Sequence, residues 1–214
     1  MKINLFSETI GTSFLLLIVV GSGIMGENLT ENKAVVLLAN SITTAFGLIV
    51  LIWIFGSYSG AHFNPVVSIL MMLLGRLTKK ETLFYVLCQM IGGVAGVVLA
   101  NIIFDLDIIS ISDNRRLTTG IFISEIIATF GLLLTILLVS KQKPEMVAAA
   151  VGLYIGAAYW FTSSTSFSNP AVTIARTLSD TFTGIVPSDV VPFIFAQLIG
   201  TFIVYFIYKY VYEQ

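Results

Sequence analysis

The chain has 214 residues, of which 57% are hydrophobic and only 11% are charged, and its mean hydropathy is +0.95. A soluble domain of this size needs more charge on its surface, so the composition indicates a membrane protein. The net charge of −1 gives no basic surface for nucleic acid, and the single histidine, His62, argues against a zinc-dependent intramembrane enzyme.

Six segments meet or approach the roughly 20 apolar residues that a helix needs to cross the hydrocarbon core. In chain order they span about residues 5–25, 34–55, 83–104, 121–139, 146–161 and 189–208. The first resembles a signal peptide, but Glu8 lies early in it and further spans follow, so we interpret it as a retained helix. Two more apolar runs, about residues 65–74 and 170–178, are long enough for only about half the bilayer.

The distribution of Lys and Arg between the spans predicts the orientation of the chain. If the N-terminus is inside, seven basic residues are cytoplasmic and four lie outside. The cytoplasmic set is Lys2, Arg76, Lys79, Lys80, Lys141, Lys143 and Lys209, and the outer set is Lys33, Arg115, Arg116 and Arg176. We therefore expect a multi-pass protein of the cell (inner) membrane, surrounded by the lipid bilayer, with both termini in the cytoplasm.

The chain contains an internal repeat. "SETIGT" at 7–12 matches "SEIIAT" at 124–129, "NPVVSI" at 64–69 matches "NPAVTI" at 169–174, and "QMIGG" at 89–93 matches "QLIGT" at 197–201. We expect one domain over residues 1–214, with a first half at 1–104 and a second half at 117–214. Because each half holds three spans, the second half enters the membrane with opposite topology. The predicted fold class is an all-α membrane protein with six transmembrane helices and two re-entrant half-helices in an inverted repeat.

Each half-length run follows an Asn-Pro pair, Asn64 with Pro65 and Asn169 with Pro170. Proline suits the first helical position, and asparagine is a strong N-cap. The inverted topology brings the two helix N-termini together near the midplane, where irregular backbone is tolerated only if it is buried or lines a water-filled cavity. The pair therefore predicts an electropositive constriction that accepts neutral hydrogen-bonding solutes and repels cations.

On these motifs the chain resembles the aquaporin and glycerol-facilitator family of major intrinsic proteins. "SGAHFNPVVS" at 59–68 and "SNPAV" at 168–172 resemble the two Asn-Pro-Ala loops of that family, with Val66 in the place of the first Ala and Ala171 as the second. The resemblance covers the whole chain. It implies an aquaporin-like bundle with one pore per protomer, usually in a homotetramer, which passes small neutral solutes. It implies no enzyme activity and no cofactor.

Two glutamates, Glu8 and Glu125, lie inside spans at equivalent positions of the repeat. A carboxylate at such a depth is costly unless it is hydrogen-bonded, so we expect each to accept backbone N–H groups of a re-entrant loop. The matching glutamates of the family are read in this way. The alternative is a proton relay in an ion- or proton-coupled secondary transporter, a class that also uses inverted repeats. We expect His62 to fix the first loop through a hydrogen bond, with a pH gate as the alternative.

The residue after the second Asn-Pro-Ala is Arg in most members of the family and Val172 here. The resemblance therefore implies a selectivity filter that is wider, less polar and less repulsive to cations. Arg176 lies one turn further along and is expected to pair with Asp180 or to cap nearby carbonyls, with a return toward the pore as the alternative. Glycerol facilitators usually have Asp where this chain has Thr173, and residues 167–190 instead resemble a bacterial branch associated with neutral arsenite.

The other filter positions follow from counting or from matching motifs. Ser166, three residues before the second asparagine, is expected to offer a carbonyl. On the second span, counting back from the asparagine gives Thr44, whereas matching the family motif gives Phe46. On the fifth span, counting gives Ala157, whereas matching gives Tyr159. Both alternatives stay open at this point, and the expected function is a passive channel for water and small uncharged solutes of glycerol or arsenite size.

Overall fold

The computed structural model describes residues 1–213, which form eight α-helices. The helices are α1 Lys2–Leu29, α2 Lys33–Ser59, α3 Pro65–Leu73, α4 Lys79–Ile103, α5 Thr119–Gln142, α6 Val147–Phe161, α7 Pro170–Ala175 and α8 Pro187–Ile207. Short 3-10 turns occupy Pro144–Met146 and Arg176–Leu178, and a π turn occupies Tyr208–Tyr212. Residues 1–213 contain no β-strand, and the predicted all-α class is confirmed.

Five helical segments are long and apolar enough to cross a membrane: α1, α2, α4, α5, and α8 together with its π turn. The sixth span is α6, which has 15 residues and follows the 3-10 turn at Pro144–Met146. The sequence predicted this span to be the shortest. Its length suffices because α6 lies between α2 and α5 rather than alone in lipid.

The helices α3 and α7 are the two predicted half-length elements, with nine and six residues. Each begins at a proline and is capped by the preceding asparagine. The side chain of Asn64 accepts a hydrogen bond from the backbone N–H of Val66, and that of Asn169 accepts one from Ala171. At 1.5 Å per residue, α3 is about 14 Å long, roughly half the hydrocarbon thickness.

The two halves repeat one packing arrangement. In the first half α1 packs against α2 and α4, and in the second half α5 packs against α6 and α8. The halves are joined where α2 packs against α6 and where the short helices cross over. Each short helix contacts both α4 and α8, so each lies against the last helix of the other half. This crossing brings the starts of α3 and α7 together at the centre of the molecule.

Glycines permit the close approach of α4 to α1 and of α8 to α5. A Cβ at Gly92 or Gly96 would overlap the backbone carbonyl of Thr9 or Ser13 on α1. A Cβ at Gly200 would lie 2.7 Å from the carbonyl oxygen of Ile126 on α5. Small residues are the usual means by which membrane helices approach one another closely. Here they allow α4 to lie close to the backbone of α1, and α8 to lie close to that of α5.

The connection between the halves covers the end of α7. Ser110 N–H donates to the Leu178 carbonyl at 3.1 Å, and Ser112 N–H donates to the Thr177 carbonyl at 2.9 Å. The linker therefore forms part of the structure around the second re-entrant segment rather than a free tether.

Candidate functional site

A cavity of about 310 Å³ lies between the two halves, and both asparagine caps line it. Met71, Arg76 and Ser140 line one end, near the C-termini of α3 and α5. At the other end the wall includes the second re-entrant loop and the C-terminus of α7. The rest of the wall is mainly apolar and comes from Leu15, Val19, Leu48, Ile52, Val67, Leu132, Ile136, Val147, Val151 and Ile155.

The two asparagines are tied to each other's loops. The Nδ2 of Asn64 donates to the carbonyl of Ser168 at 2.8 Å, and the Nδ2 of Asn169 donates to the carbonyl of Phe63 at 2.8 Å. An amide nitrogen carries two N–H groups, and within residues 1–213 each Nδ2 makes this one contact. The remaining N–H of each is a donor available to the cavity that both residues line. Pro65, Val66, Pro170 and Ala171 are buried behind them.

Glu8 anchors the first re-entrant loop. Its carboxylate accepts hydrogen bonds from the backbone N–H groups of His62 at 2.9 Å and Phe63 at 2.7 Å. It also accepts the hydroxyl of Ser59 at 2.6 Å and the side-chain amide of Gln89 at 2.8 Å. The residue is fully buried, so these four donors replace its hydration.

Glu125 makes the equivalent contacts in the second half. It accepts the backbone N–H groups of Phe167 and Ser168, both at 2.9 Å, and the side-chain amide of Gln197 at 2.8 Å. It also accepts the side-chain hydroxyl of Ser164. It is also fully buried. These are the contacts that the sequence predicts for a pair of loop anchors.

The anchored loops adopt a backbone conformation that side chains rarely allow. Five residues of the loops have φ between 47° and 61°: Ala61, Phe63, Thr165, Ser166 and Ser168. This is the left-handed region, which costs on the order of 1–3 kcal/mol for each residue other than glycine. The hydrogen bonds to the two glutamates hold this conformation. Within residues 1–213, the carbonyls of segments 60–62 and 165–167 accept no hydrogen bond, and residues of both segments line the cavity. The loops thus offer acceptors where the asparagines offer donors.

His62 is both hydrogen-bonded and part of the cavity wall. Its Nδ1 lies 3.0 Å from the hydroxyl of Ser68, and its ring packs edge-on against Tyr85 with 5.3 Å between centroids. These contacts are of the kind expected for a residue that fixes the first loop.

Thr44, Tyr159, Ser166 and Val172 line the cavity. The hydroxyls of Thr44 and Tyr159 lie 3.3 Å apart, which joins α2 to α6 at this level. The structure therefore brings together four of the six residues that the sequence proposes for a filter.

The other two filter candidates, Phe46 and Ala157, are wrong. Phe46 is 63% exposed and Ala157 is exposed, so both lie on the outer surface of the bundle. Each is two residues from a residue that lines the cavity. Two residues turn a helix by about 200°, so an error of two positions moves a side chain to the opposite face.

The expected pairing of Arg176 with Asp180 is also wrong. The carboxylate of Asp180 accepts from the hydroxyl of Ser112 at 3.3 Å and the N–H of Asp113 at 3.0 Å, so it faces the linker. Arg176 instead lines the cavity, and its Nε donates to the carbonyl of Thr183. It therefore fulfils two sequence alternatives together, since it caps a carbonyl and also returns toward the pore.

One residue of the cavity wall that the sequence interpretation missed is Phe167. Its ring contacts two guanidinium groups: the central carbon of Arg176 lies 3.6 Å from the ring centroid, and that of Arg116 lies 5.2 Å from it. The repeat contained the signal for it: Phe167 stands two residues before Asn169, as His62 stands two residues before Asn64.

Comparison with known proteins gives a consistent result. A model of the major intrinsic protein family matches residues 2–166. Aquaglyceroporin AqpS of Rhizobium meliloti (strain 1021) is 48% identical over 194 residues, which are 91% of this chain and 83% of that protein. Aquaporin NIP1-2 of Arabidopsis thaliana is 31% identical over 72% of this chain, and the match spans 54% of that protein. The fold is similar to that of an aquaglyceroporin from Plasmodium falciparum, with a TM-score of 0.74, 22% identity and coverage of 98% and 96% of the two chains.

Proposed function

The chain belongs to the major intrinsic protein family, and we propose that its central cavity is the path by which water and glycerol-sized uncharged solutes cross the membrane. Membership of this family makes the protein a multi-pass membrane channel rather than an enzyme. The observation that supports the proposed path is the crossed contact of Asn64 and Asn169 with each other's loops, inside one cavity.

The cavity suits a neutral solute that both donates and accepts hydrogen bonds. The free N–H groups of Asn64 and Asn169 are donors, and the unpaired loop carbonyls are acceptors, so a hydroxylated molecule exchanges its hydration for contacts with the wall. A cation meets the positive N-terminal ends of α3 and α7, which disfavour it. The same ends disfavour a continuous wire of protons through the water column.

The solute range follows from the residues at the constriction. Val172 stands where most members of the family have Arg, and its short apolar side chain leaves space between Tyr159, Thr44 and Ser166. We propose that glycerol and neutral arsenite, As(OH)3, pass through this space as well as water. The similarity to a protein named an aquaglyceroporin supports a solute larger than water.

The test is the permeability of proteoliposomes that contain the purified protein. Stopped-flow light scattering measures water and glycerol permeability, and arsenite uptake is followed by elemental analysis, each against protein-free liposomes. The matched control is Thr44→Phe, which places an aromatic ring in the cavity at the level of Tyr159. We expect the wild type to exceed both controls for all three solutes. A wild type that equals protein-free liposomes for water and glycerol would contradict the proposed path.

The same vesicles separate a channel from a coupled transporter. Because Glu8 and Glu125 are each engaged by several donors, no proton exchange is expected during transport. Solute flux should therefore follow only the solute gradient. Uptake against a gradient, driven by imposed proton or sodium gradients, would favour the secondary-transporter alternative.

We further propose a homotetramer in the cell (inner) membrane, with both termini in the cytoplasm. The support is the family resemblance for the assembly and the excess of Lys and Arg in the proposed cytoplasmic loops for the orientation. Native mass spectrometry of the detergent-solubilised protein tests the assembly. Labelling of a cysteine introduced at Lys141, in a Cys88→Ala background, tests on which side of the membrane the connection between α5 and α6 lies.

A further inference from the structure

The arginine that is missing at position 172 has a counterpart one helical turn away. Arg176 follows α7 directly and lines the same cavity as Val172, Tyr159 and Ser166. Its side chain is only 3% exposed. A guanidinium group therefore remains at this end of the cavity, although the position that usually carries it does not have one.

The guanidinium of Arg176 lies against an aromatic ring rather than beside a carboxylate. Its central carbon is 3.6 Å from the centroid of the Phe167 ring, and its Nε donates to the carbonyl of Thr183. Within residues 1–213 it makes no ion pair and no other hydrogen bond. Arginine has five N–H donors, so the four on its Nη atoms have no protein partner. Buried donors are costly when unpaired, so these four need water or a solute in the cavity.

A second arginine close to the same ring has a different environment. Arg116 lies 5.2 Å from the Phe167 centroid, but its Nε and Nη2 donate to the carbonyls of Gly184 and Phe182, both at 2.6 Å. It is absent from the cavity wall. Burial lowers the pKa of Arg116 to about 10, which leaves it protonated at neutral pH. Arg116 thus adds positive charge to the region while its donors hold the loop.

We propose that Arg176 is a specificity-determining residue of the constriction, which donates hydrogen bonds to solute hydroxyl groups and excludes cations by its fixed charge. This inference rests on the proposed path through the cavity. Width and charge are then set by two residues, since Val172 leaves the space open and Arg176 supplies the charge and the donors. The Phe167 ring, 3.6 Å from the guanidinium carbon, stabilises this charge within the cavity wall.

The experiment compares Arg176→Met with Arg176→Lys and uses Arg116→Met as the matched control outside the cavity. Proteoliposomes are assayed for water, for glycerol, and for proton leak under a potassium diffusion potential with an internal pH dye. For Arg176→Met we expect proton and potassium leak to rise by roughly tenfold or more. The reason is that a cation in the cavity no longer meets the Coulomb repulsion of one nearby unit charge, at a dielectric constant between those of protein and water. Glycerol flux should fall severalfold while water flux persists.

The two other variants separate the effect of the guanidinium's hydrogen bonds to the solute from the effect of its charge. Arg176→Lys retains the charge and loses the planar fork, so we expect low leak together with reduced glycerol flux. Arg116→Met should leave glycerol flux at the wild-type level. An Arg176→Met protein with wild-type leak and wild-type glycerol flux would overturn the inference, and so would equal effects of Arg116→Met and Arg176→Met on glycerol.

Folding and the proposed path are controlled separately. Size-exclusion profiles and melting curves are recorded for every variant. If Arg176→Met does not fold, Arg176→Lys decides, because unchanged glycerol flux in that variant would overturn the role of the planar guanidinium. A wild type that passes neither water nor glycerol would contradict the proposed path itself. If the wild type conducts and the Arg176 variants have the same leak and glycerol flux as the wild type, only the role of Arg176 is contradicted.

Discussion

The first and second re-entrant loops share one framework but differ in the side chains that they present to the cavity. In both, a buried glutamate and a buried glutamine hold the loop, and an asparagine caps the short helix. The first loop, residues 60–64, places a histidine in the wall, whereas the second, residues 162–169, places Ser166 and Phe167 there. The second short helix is also shorter and leads directly into Arg176.

This difference indicates that the residues that hold the loops and the residues that select solutes are separate sets. The contacts that hold both loops are related by the repeat, and the residues proposed to select solutes lie mainly in the second half. The anchoring contacts of both loops use backbone N–H groups, so the side chains of a loop can differ while its anchor stays the same. Such contacts do not depend on which side chains the loop carries.

The largest effect that would test this comparison is expected from Val172→Arg. The new side chain narrows the passage and places a second positive charge one turn from Arg176. We expect glycerol flux to fall by about tenfold or more, which corresponds to a cost of roughly 1.4 kcal/mol for the larger solute. Water should still pass, since it needs less space.

The control for that experiment is Val172→Met, which adds volume without charge, with permeability measured at equal protein density in proteoliposomes. We expect it to reduce glycerol flux less than the arginine does. If glycerol passes equally through Val172→Arg and the wild type, position 172 does not limit the solute and the second loop loses its proposed role.

A second prediction compares the two anchors through Glu8→Gln and Glu125→Gln. An amide places N–H donors against the backbone N–H groups that the carboxylate accepts, so each change should lower the free energy of unfolding by about 1–3 kcal/mol. The two losses should be similar, because each carboxylate accepts two backbone N–H groups, one glutamine amide and one serine hydroxyl. Thermal unfolding in detergent measures them.

The exposed Glu31 supplies the control, since Glu31→Gln should leave the melting temperature unchanged. A melting temperature of Glu8→Gln as high as that of Glu31→Gln would show that the first loop does not depend on its anchor. A much larger loss for one anchor than for the other would contradict the shared framework of the two loops.

A smaller effect is expected where each glutamine meets a hydroxyl. Ser68 and Thr173 each accept from a glutamine side chain at 3.0 Å, and Ser68 also lies 3.0 Å from the Nδ1 of His62. Ser68→Ala and Thr173→Val should therefore cost about 0.5–1.5 kcal/mol each, with the larger loss at Ser68. Chemical unfolding followed by tryptophan fluorescence gives the comparison, and Thr173→Ser is the control that keeps the hydroxyl. A greater loss at Thr173 would contradict the added contact of Ser68.

The smallest effect is expected on the outer faces of α2 and α6. Phe46→Ala and Ala157→Leu change side chains that face away from the cavity, so glycerol and water flux should stay at the wild-type level. Their partners on the inner faces are Thr44 and Tyr159, and Tyr159→Trp should reduce glycerol flux. Loss of flux in Phe46→Ala with a normal melting temperature would contradict the assignment of these faces.

The sequence by itself determined the architecture, because the signals for it are local. Span lengths follow from apolar runs, and the two half-helices follow from Asn-Pro pairs, whose capping acts within three residues. The repeated motifs place Glu8 with Glu125 and Asn64 with Asn169 without any knowledge of contacts. These features depend on backbone chemistry that is the same wherever the segment lies.

Only the tertiary structure decided which side chains face the cavity near the constriction. Thr44 and Phe46 are equally plausible from their spacing, and a difference of two residues reverses the face of a helix. The partner of Arg176 was also beyond the sequence, because its long side chain reaches Thr183 and Phe167, which the folded loops bring to it. Asp180, its neighbour in sequence, is engaged by the linker instead. Local spacing specifies a helix and its cap, whereas a flexible charged side chain takes whichever partner the packing of distant segments supplies.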